Sequence, residues 1–493
     1  MSFISITEEM LNVAFTENGD KAYHTSGSYC LDYFSLAGGM RYNLTDALTL
    51  FLRAYNEDPL LAIKILFFIR DIRDGLGERG IFRYTFNALC NMCPNVAKQL
   101  LNYVYEYGRY DDLFSAFSTP LKKDVIKIID SKLKEDIEAK MMGLPISLLA
   151  KWMPSINTSS IETKILAVQV AASLGMSKEE YRKTLSFLRK DLIIENNLRE
   201  KDYTFDYSKI SGNASFKYHL AFLNNDNVRY NQYLQDVKEG KAKMNSKTLF
   251  PYEVIRKLED SFEYNNEKLS EEELNALDVI WNSFDREGID SKTIVVRDGS
   301  GSMFDCNSVS ANSVATSLAL LFAERLQGEF HNKFITFSSR PKLINIKGNT
   351  IEEKYKDIIR YSEVSNTNIE KVYDLILNVY QSPKFKKEDA LDRIVIISDM
   401  EFDEGADYKK TTYESFKEKF EVLGYKLPEI IFWNVRARSI HLPITKGEDN
   451  IKLVSGASEN IIDMIVNNNA PSPYDMMLKC LEKYSCFDHI EFK

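Results

Sequence analysis

Asp298-Gly-Ser300-Gly-Ser302 sets one carboxylate and two hydroxyls within a single short loop. The loop directly follows Lys292 to Arg297 (KTIVVR), a β-branched run that predicts a strand. Such a strand-end loop can form one side of an oxygen cage. Thr367 stands in a second polar loop, Ser365-Asn366-Thr367-Asn368, ahead of an expected helix. Asp399 follows a further apolar strand pattern, Arg393 to Ser398 (RIVIIS). Together the three loops offer two carboxylates and three hydroxyls. Hard cations take such oxygen ligands, and Mg²⁺ in particular wants an octahedron and keeps several waters. The expected cofactor is therefore Mg²⁺, with Mn²⁺ or Ca²⁺ as alternatives. The competing reading is a Ser-rich turn in which Ser300 or Ser302 caps a helix, but it accounts for neither Thr367 nor Asp399. The acidic run Glu401, Asp403, Glu404 reads as a solvated loop or as further ligands.

Cations interleaved with aromatic rings form a second candidate. Between Tyr181 and Lys247 stand Arg182, Lys183, Arg189, Lys190, Lys209, Lys217, Arg229, Lys238, Lys241, Lys243 and Lys247, among Tyr203, Phe205, Tyr207, Phe216, Tyr218, Tyr230 and Tyr233. Single-stranded RNA binding needs phosphate neutralisation together with rings on which bases stack. The other reading is a solvated basic surface whose rings turn inward.

Other motifs point away from catalysis. Gly75-Leu-Gly77-Glu-Arg-Gly80 is a literal G-x-G-x-x-G, but a dinucleotide fingerprint follows a strand and this one follows a helical pattern. It reads as a charged helix–helix turn, with Arg70, Arg73, Glu78, Arg79 and Asp71 or Asp74 in ion pairs, open to RNA or interdomain contacts. Asp111 and Asp112 are adjacent and would diverge by ~100° on a helix, so a capping role suits them better than a shared substrate. Cys90 and Cys93 have no second pair and no neighbouring His, which argues against zinc. The five His are scattered. No catalytic residue is expected, and the chain is not expected to be an enzyme.

The elements that position these residues fall into two kinds. From Thr45 to Trp281 helix patterns succeed one another, and Leu60 to Ile72 (LLAIKILFFIRDI) is apolar nearly all round, as for a buried helix. Asp202 to Lys247 is richer in Tyr, Asn and Lys and reads as an ordered insertion wrapped on those helices. After Ser291, short apolar strands alternate with helices, which predicts a doubly wound parallel sheet with its site at the strands' carboxyl ends. Lys+Arg of 63 against Asp+Glu of 72 gives a net charge of −9, which excludes a protein that coats nucleic acid indiscriminately. The N-terminus has no basic n-region, no window reaches ~18 uncharged apolar residues, and the sparse cysteines suit a reducing cytoplasm.

The pattern D-x-S-x-S, then Thr, then Asp resembles the metal-ion-dependent adhesion site of von Willebrand factor A domains. That resemblance implies hydroxyls as direct or near ligands, carboxylates acting partly through water, and an open position for an acidic group of a partner. Met400 and Asn366 stand where the pattern usually has Gly. The stretches Ile69 to Arg83 (IRDIRDGLGERGIFR), Tyr105 to Leu113 (YEYGRYDDL), Leu148 to Ser155 (LLAKWMPS), Ile397 to Asp403 (ISDMEFD) and Ile431 to Ala437 (IFWNVRA) resemble a family that joins a helical region to such a domain. The architecture is similar to the Ro autoantigen and its TROVE (telomerase, Ro, vault) relatives, which bind small structured RNAs and RNA ends. The expected fold class is α + α/β. A HEAT-like α-solenoid, residues 1–288 with the insertion near 202–247, precedes a doubly wound von Willebrand A-type α/β domain, residues 289–493. The expected function is a cytoplasmic, Ro-like RNA-binding protein whose metal site takes an acidic group. The alternative is a metal-dependent protein scaffold without RNA. Neither a membrane nor DNA is an expected partner.

Overall fold

The computed structural model describes residues 4, 7 and 10–492, apart from 191, 264–267, 305–308, 339, 362–367 and 406–409. An N-terminal hairpin, β1 (Val13–Phe15) and β2 (Lys21–Tyr23), precedes the helices. The C-terminal part carries a six-stranded sheet of β3 (Thr293–Asp298), β4 (Lys333–Phe337), β5 (Leu343–Asn345), β6 (Arg393–Ser398), β7 (Glu429–Asn434) and β8 (Ile451–Ser455). Its spatial order is β5-β4-β3-β6-β7-β8, parallel throughout except for the antiparallel edge strand β5. β3 is buried along its whole length, and β6 and β7 after their first residue. This is why these strands read as continuous apolar runs: both faces of a parallel sheet are covered by helices. The chain leaves β3 toward β4 and returns to β6 on the other side of β3. The strand order therefore reverses between β3 and β6, where Asp298 and Asp399 emerge at the carboxyl ends.

The helical part follows the expected pattern over most of its length. The apolar run at Leu60 folds as the helix Pro59–Arg70, started by Pro59 and by the Asp58 side chain, which accepts from the Leu61 N–H. Leu61 and all later positions except Lys64 are buried in it. Segment 202–247 departs from expectation. It is no wrapped insertion but contributes two helices of its own, Gly212–Asn225 and Asn227–Lys238. Its rings explain the difference. Tyr207, Phe222, Tyr230 and Tyr233 pack on one another at centroid distances of 5.1 to 5.4 Å, forming the core that the two helices share.

Contacts cross the expected 288/289 boundary at both chain ends. The hairpin lies on the sheet domain, where Tyr23 exchanges backbone hydrogen bonds of 2.9 Å with Leu442. The 3-10 helix Glu482–Phe487 returns to the helices: Phe487 packs 4.5 Å from Phe67, and the Tyr484 hydroxyl donates to Asp71 at 2.9 Å. The helical part also meets the sheet domain at two separate places. Gly38 donates to Ser455 Oγ at 3.0 Å, and a Cβ there would sit 2.5 Å from the Ser455 carbonyl oxygen, so only glycine permits the approach. Farther along, buried Glu259 accepts from Asn312 at 3.1 Å and from Ser313. Between these two seams the helices enclose a cavity that the sheet domain closes. Among the described residues no helix is long and apolar enough to cross a membrane.

Candidate metal centre and cationic cavity

Asp298 ends β3 and is fully buried. Its carboxylate accepts from the Ser300 N–H at 2.8 Å and from the Ser398 hydroxyl at 2.6 Å, which fixes its orientation. Ser300 Oγ and Ser302 Oγ lie 2.9 Å apart. Asp399 is buried just past β6. Burial, and then the neighbouring charge of Asp399, raise the Asp298 carboxyl above its ordinary range. Two buried carboxylates and two hydroxyls thus converge at the reversal of strand order, and a divalent cation would relieve their repulsion. The donor set is all oxygen and fits Mg²⁺ or Mn²⁺. Thr367 lies outside the described residues. Met400, which replaces the pattern's glycine, adopts φ +65°, the left-handed conformation that glycine takes freely.

Residues that the sequence did not single out surround this site. Arg438 Nη2 pairs with Asp399 Oδ2 at 2.6 Å, while its Nη1 reaches Glu17 of the hairpin at 2.7 Å. The acidic run lies in part against the hairpin, and Glu404 is exposed. Glu401 is buried, accepts the Glu17 N–H at 2.7 Å and takes the Ser439 hydroxyl at 3.0 Å. Asp403 bridges to Gly19. With a divalent cation held by the two aspartates, Arg438 would add positive charge beside it and favour an anionic ligand. Arg438→Gln is therefore expected to tighten Mn²⁺ binding by about tenfold, since one nearby charge opposes a divalent ion by roughly 1–2 kcal/mol at intermediate dielectric. Calorimetric titration with Mn²⁺ measures this directly, and equal or weaker affinity would remove Arg438 from the site.

The cavity between helices and sheet domain has a volume of about 990 Å³. Arg41, Arg70, Arg73, Arg79, Arg109, Lys151, Lys217 and Lys247 line it, against only Glu78, Glu195 and Glu459. In a chain of net charge −9, this is a pronounced concentration of positive charge. Rings alternate with the cations. The Arg109 guanidinium lies 3.7 Å from the Trp152 ring centre, and Tyr105 stacks on Tyr110 at 4.5 Å. Arg41 is held by a two-pronged pair with Glu78 at 2.7 to 3.0 Å and lies over Phe250 and Tyr252. The stretches 69–83, 105–113 and 148–155, far apart in sequence, each contribute to this wall.

Few of the cations expected to bind RNA reach the cavity. Only Lys217 and Lys247 line it. Arg189 is built into the fold, donating to the carbonyls of Ala150 at 2.7 Å and Met153 at 2.5 Å and to Ser155 Oγ at 2.7 Å. Arg229 pairs with Asp226 at 3.1 Å, Lys183 with Glu179 at 2.8 Å, Lys241 with Glu239 at 2.5 Å and Lys209 with Asp206 at 3.8 Å. Lys238 donates to Asn275 at 2.6 Å. Arg182, Lys190 and Lys243 are exposed outside the cavity lining. Most of these eleven residues are spent on local pairs, while Tyr207, Phe222, Tyr230 and Tyr233 beside them fill a core. Arg109, Lys151 and Trp152 were not expected as ligand-binding residues, whereas Arg79 belongs to the charged turn read as open to RNA contacts. The available signal was that they fall in the stretches 105–113 and 148–155, which carry the family resemblance.

Fold and site together define a two-part protein, with helices around a cationic cavity and a mostly parallel sheet carrying an oxygen-rich centre. The chain belongs to the family described as domain of unknown function DUF2828, whose model matches residues 16–107 and 100–286. Residues 292–480 match a second model, domain of unknown function DUF7788. The chain is 31% identical to uncharacterized protein L728 of Acanthamoeba polyphaga mimivirus over 517 aligned positions, covering 96% of this chain and 88% of that protein. Among solved structures, the Ro (RSR) protein of Deinococcus radiodurans aligns with 93% of this chain and all of its own, at 11% identity and a TM-score of 0.36. That score is too low to establish a shared fold or function.

Proposed function

We propose that this protein is a non-enzymatic RNA-binding protein that takes a single-stranded stretch or end of a small structured RNA into its central cavity. The observation that carries the reading is the lining itself: eight cations to three acids, interleaved with Trp152, Tyr218 and stacked Tyr105 and Tyr110. Phosphate neutralisation and ring stacking are what single-strand binding requires. In this reading the helices form a HEAT-like ring closed by a von Willebrand A-type domain. Asp298, Ser300, Ser302, Thr367 and Asp399 would hold Mg²⁺ or Mn²⁺. The cation would supply a Lewis-acid position for one acidic group, either an RNA phosphate or a protein carboxylate. Arg438, beside Asp399, would favour that anion. The described cysteines are all free, in keeping with a reducing cytoplasm. The net charge of −9 favours the second reading, a metal-dependent protein scaffold without RNA.

Replacing Lys151, Lys217 and Lys247 together by Gln is expected to weaken binding of labelled single-stranded RNA and to flatten its salt dependence. The slope should fall by ~0.7 for every phosphate that is no longer neutralised. Stability should barely change, because partly or fully exposed lysines contribute little to folding. Fluorescence anisotropy across a salt series checks both points. If the wild-type protein binds no RNA at low salt, with or without Mg²⁺, the scaffold reading replaces this one.

A further inference from the structure

We propose that the cavity wall at Arg79 and Arg109 is a subsite for a phosphomonoester, the terminal phosphate of an RNA strand or of a free nucleotide. This deepens the reading of the cavity as the ligand site and rests on it. Six charged side chains make one cluster in this wall. Asp112 pairs with Arg70 at 2.7 Å and with Arg83 at 2.6 Å, while Asp111 pairs with Arg83 at 2.7 Å and with Arg109 at 2.5 Å. Arg79 completes the group. It lines the cavity, stands one helical turn before Arg83, and forms no ion pair with any described residue. Four guanidiniums thus share two carboxylates. The nearest further acid in the sequence, Glu78, is committed to Arg41.

The imbalance matters because the cluster is only partly hydrated. Arg70 and Asp112 are almost wholly buried behind it, so solvent screens the excess poorly. Burial, and then the guanidiniums of Arg109 and Arg83, hold Arg79 below the ordinary arginine value, consistent with cations that lack a counter-charge. A phosphomonoester carries ≈ −1.5 to −2 near neutral pH, which matches two uncompensated positive charges; a backbone phosphodiester supplies only about half of that. Guanidinium forks also bind phosphate oxygens in pairs, giving the subsite geometry as well as charge. Trp152, already stacked against Arg109, offers a neighbouring ring to an attached base.

The test compares ligands that differ only in the phosphate. Short oligoadenylates bearing a 5′-phosphate, a 3′-phosphate or hydroxyls at both ends are titrated by anisotropy, and adenosine 5′-monophosphate is compared with adenosine by calorimetry. One of the end-phosphorylated strands is expected to bind about tenfold more tightly than the all-hydroxyl strand. Arg79→Gln should erase that gain, leaving the phosphorylated and all-hydroxyl strands with equal affinity, and Arg79→Lys should retain part of it. A gain with the mononucleotide but not with strands makes the source a free nucleotide. The subsite would then stand, and the RNA reading would fail only if the strands themselves do not bind. Equal affinity for phosphorylated and hydroxyl strands, together with equal affinity for the mononucleotide and adenosine, overturns the subsite and leaves RNA binding intact. That comparison needs only the wild-type protein, so it holds even if a variant misfolds. A gain that survives Arg79→Gln also overturns the assignment. If the wild-type protein binds none of these ligands, both readings fall.

Discussion

Asp112→Ala is expected to destabilise the protein by about 3–5 kcal/mol, the range for breaking a buried ion pair by removing one partner. The carboxylate is fully buried and accepts from Arg70 Nε at 2.8 Å, Arg83 Nε at 2.6 Å and the Arg109 N–H at 2.9 Å. Removing it strands the Arg70 guanidinium, itself about 2% exposed, with no remaining acid partner in the ion-pair network. The backbone has been shaped around this group: a Cβ at Gly108 would collide with Asp112 Oδ2. Asp111→Ala is the control. Asp111 is partly exposed, and Arg83 keeps Asp112 when it is lost, so its cost should stay near ~1 kcal/mol. Urea denaturation measures both. A midpoint for Asp112→Ala within experimental error of wild type would mean that water reaches Arg70 and that the cavity's rear wall is open.

Asp298→Ala is expected to lower Mg²⁺ and Mn²⁺ affinity by more than ~100-fold, since even outer-shell partners of a metal commonly contribute 10–100-fold. The fold should survive the change. In metal-free protein the buried Asp298 carboxyl, raised by burial and by Asp399, opposes folding in its ionised form. The folded chain then holds this proton more tightly than the unfolded chain does. As pH rises from the ordinary carboxylate range through the raised value, the unfolded chain ionises first and stability falls. Asp298→Asn should remove that fall, making the metal-free variant at least as stable as wild type above neutrality. Excess Mg²⁺ should stabilise the wild-type protein but not the variant. Melting curves with and without Mg²⁺ at acid and slightly alkaline pH decide the matter. An unchanged metal affinity in Asp298→Ala would remove the aspartate from the site, and with it the adhesion-type assignment.

The sequence by itself determined the local periods and, through them, which segments are covered. IVV, IVII and IIFW are apolar on both sides, so they had to be covered strands, and the ends of the first two had to present Asp298 and Asp399 at carboxyl ends. The run from Leu60 had no polar face and could only be buried. Thr367, expected beside the two aspartates, lies outside the described residues. Tertiary structure decided where charges went. Arg189 reads as a free cation in sequence, yet the fold turns it onto carbonyls more than thirty residues earlier. Tyr207, Tyr230 and Tyr233 looked available for bases, and packing made them a core, while Tyr218 lines the cavity. Arg438 meets Glu17 across 421 positions. The cavity was the least legible feature, because Arg41, Arg109 and Lys151 each sit in an ordinary charged stretch. A side chain's period records which face is buried, but its partner depends on which distant segments pack against it. Only once they packed did Asp111 and Asp112 become shared among Arg70, Arg83 and Arg109, leaving Arg79 facing the cavity without an ion-pair partner among the described residues.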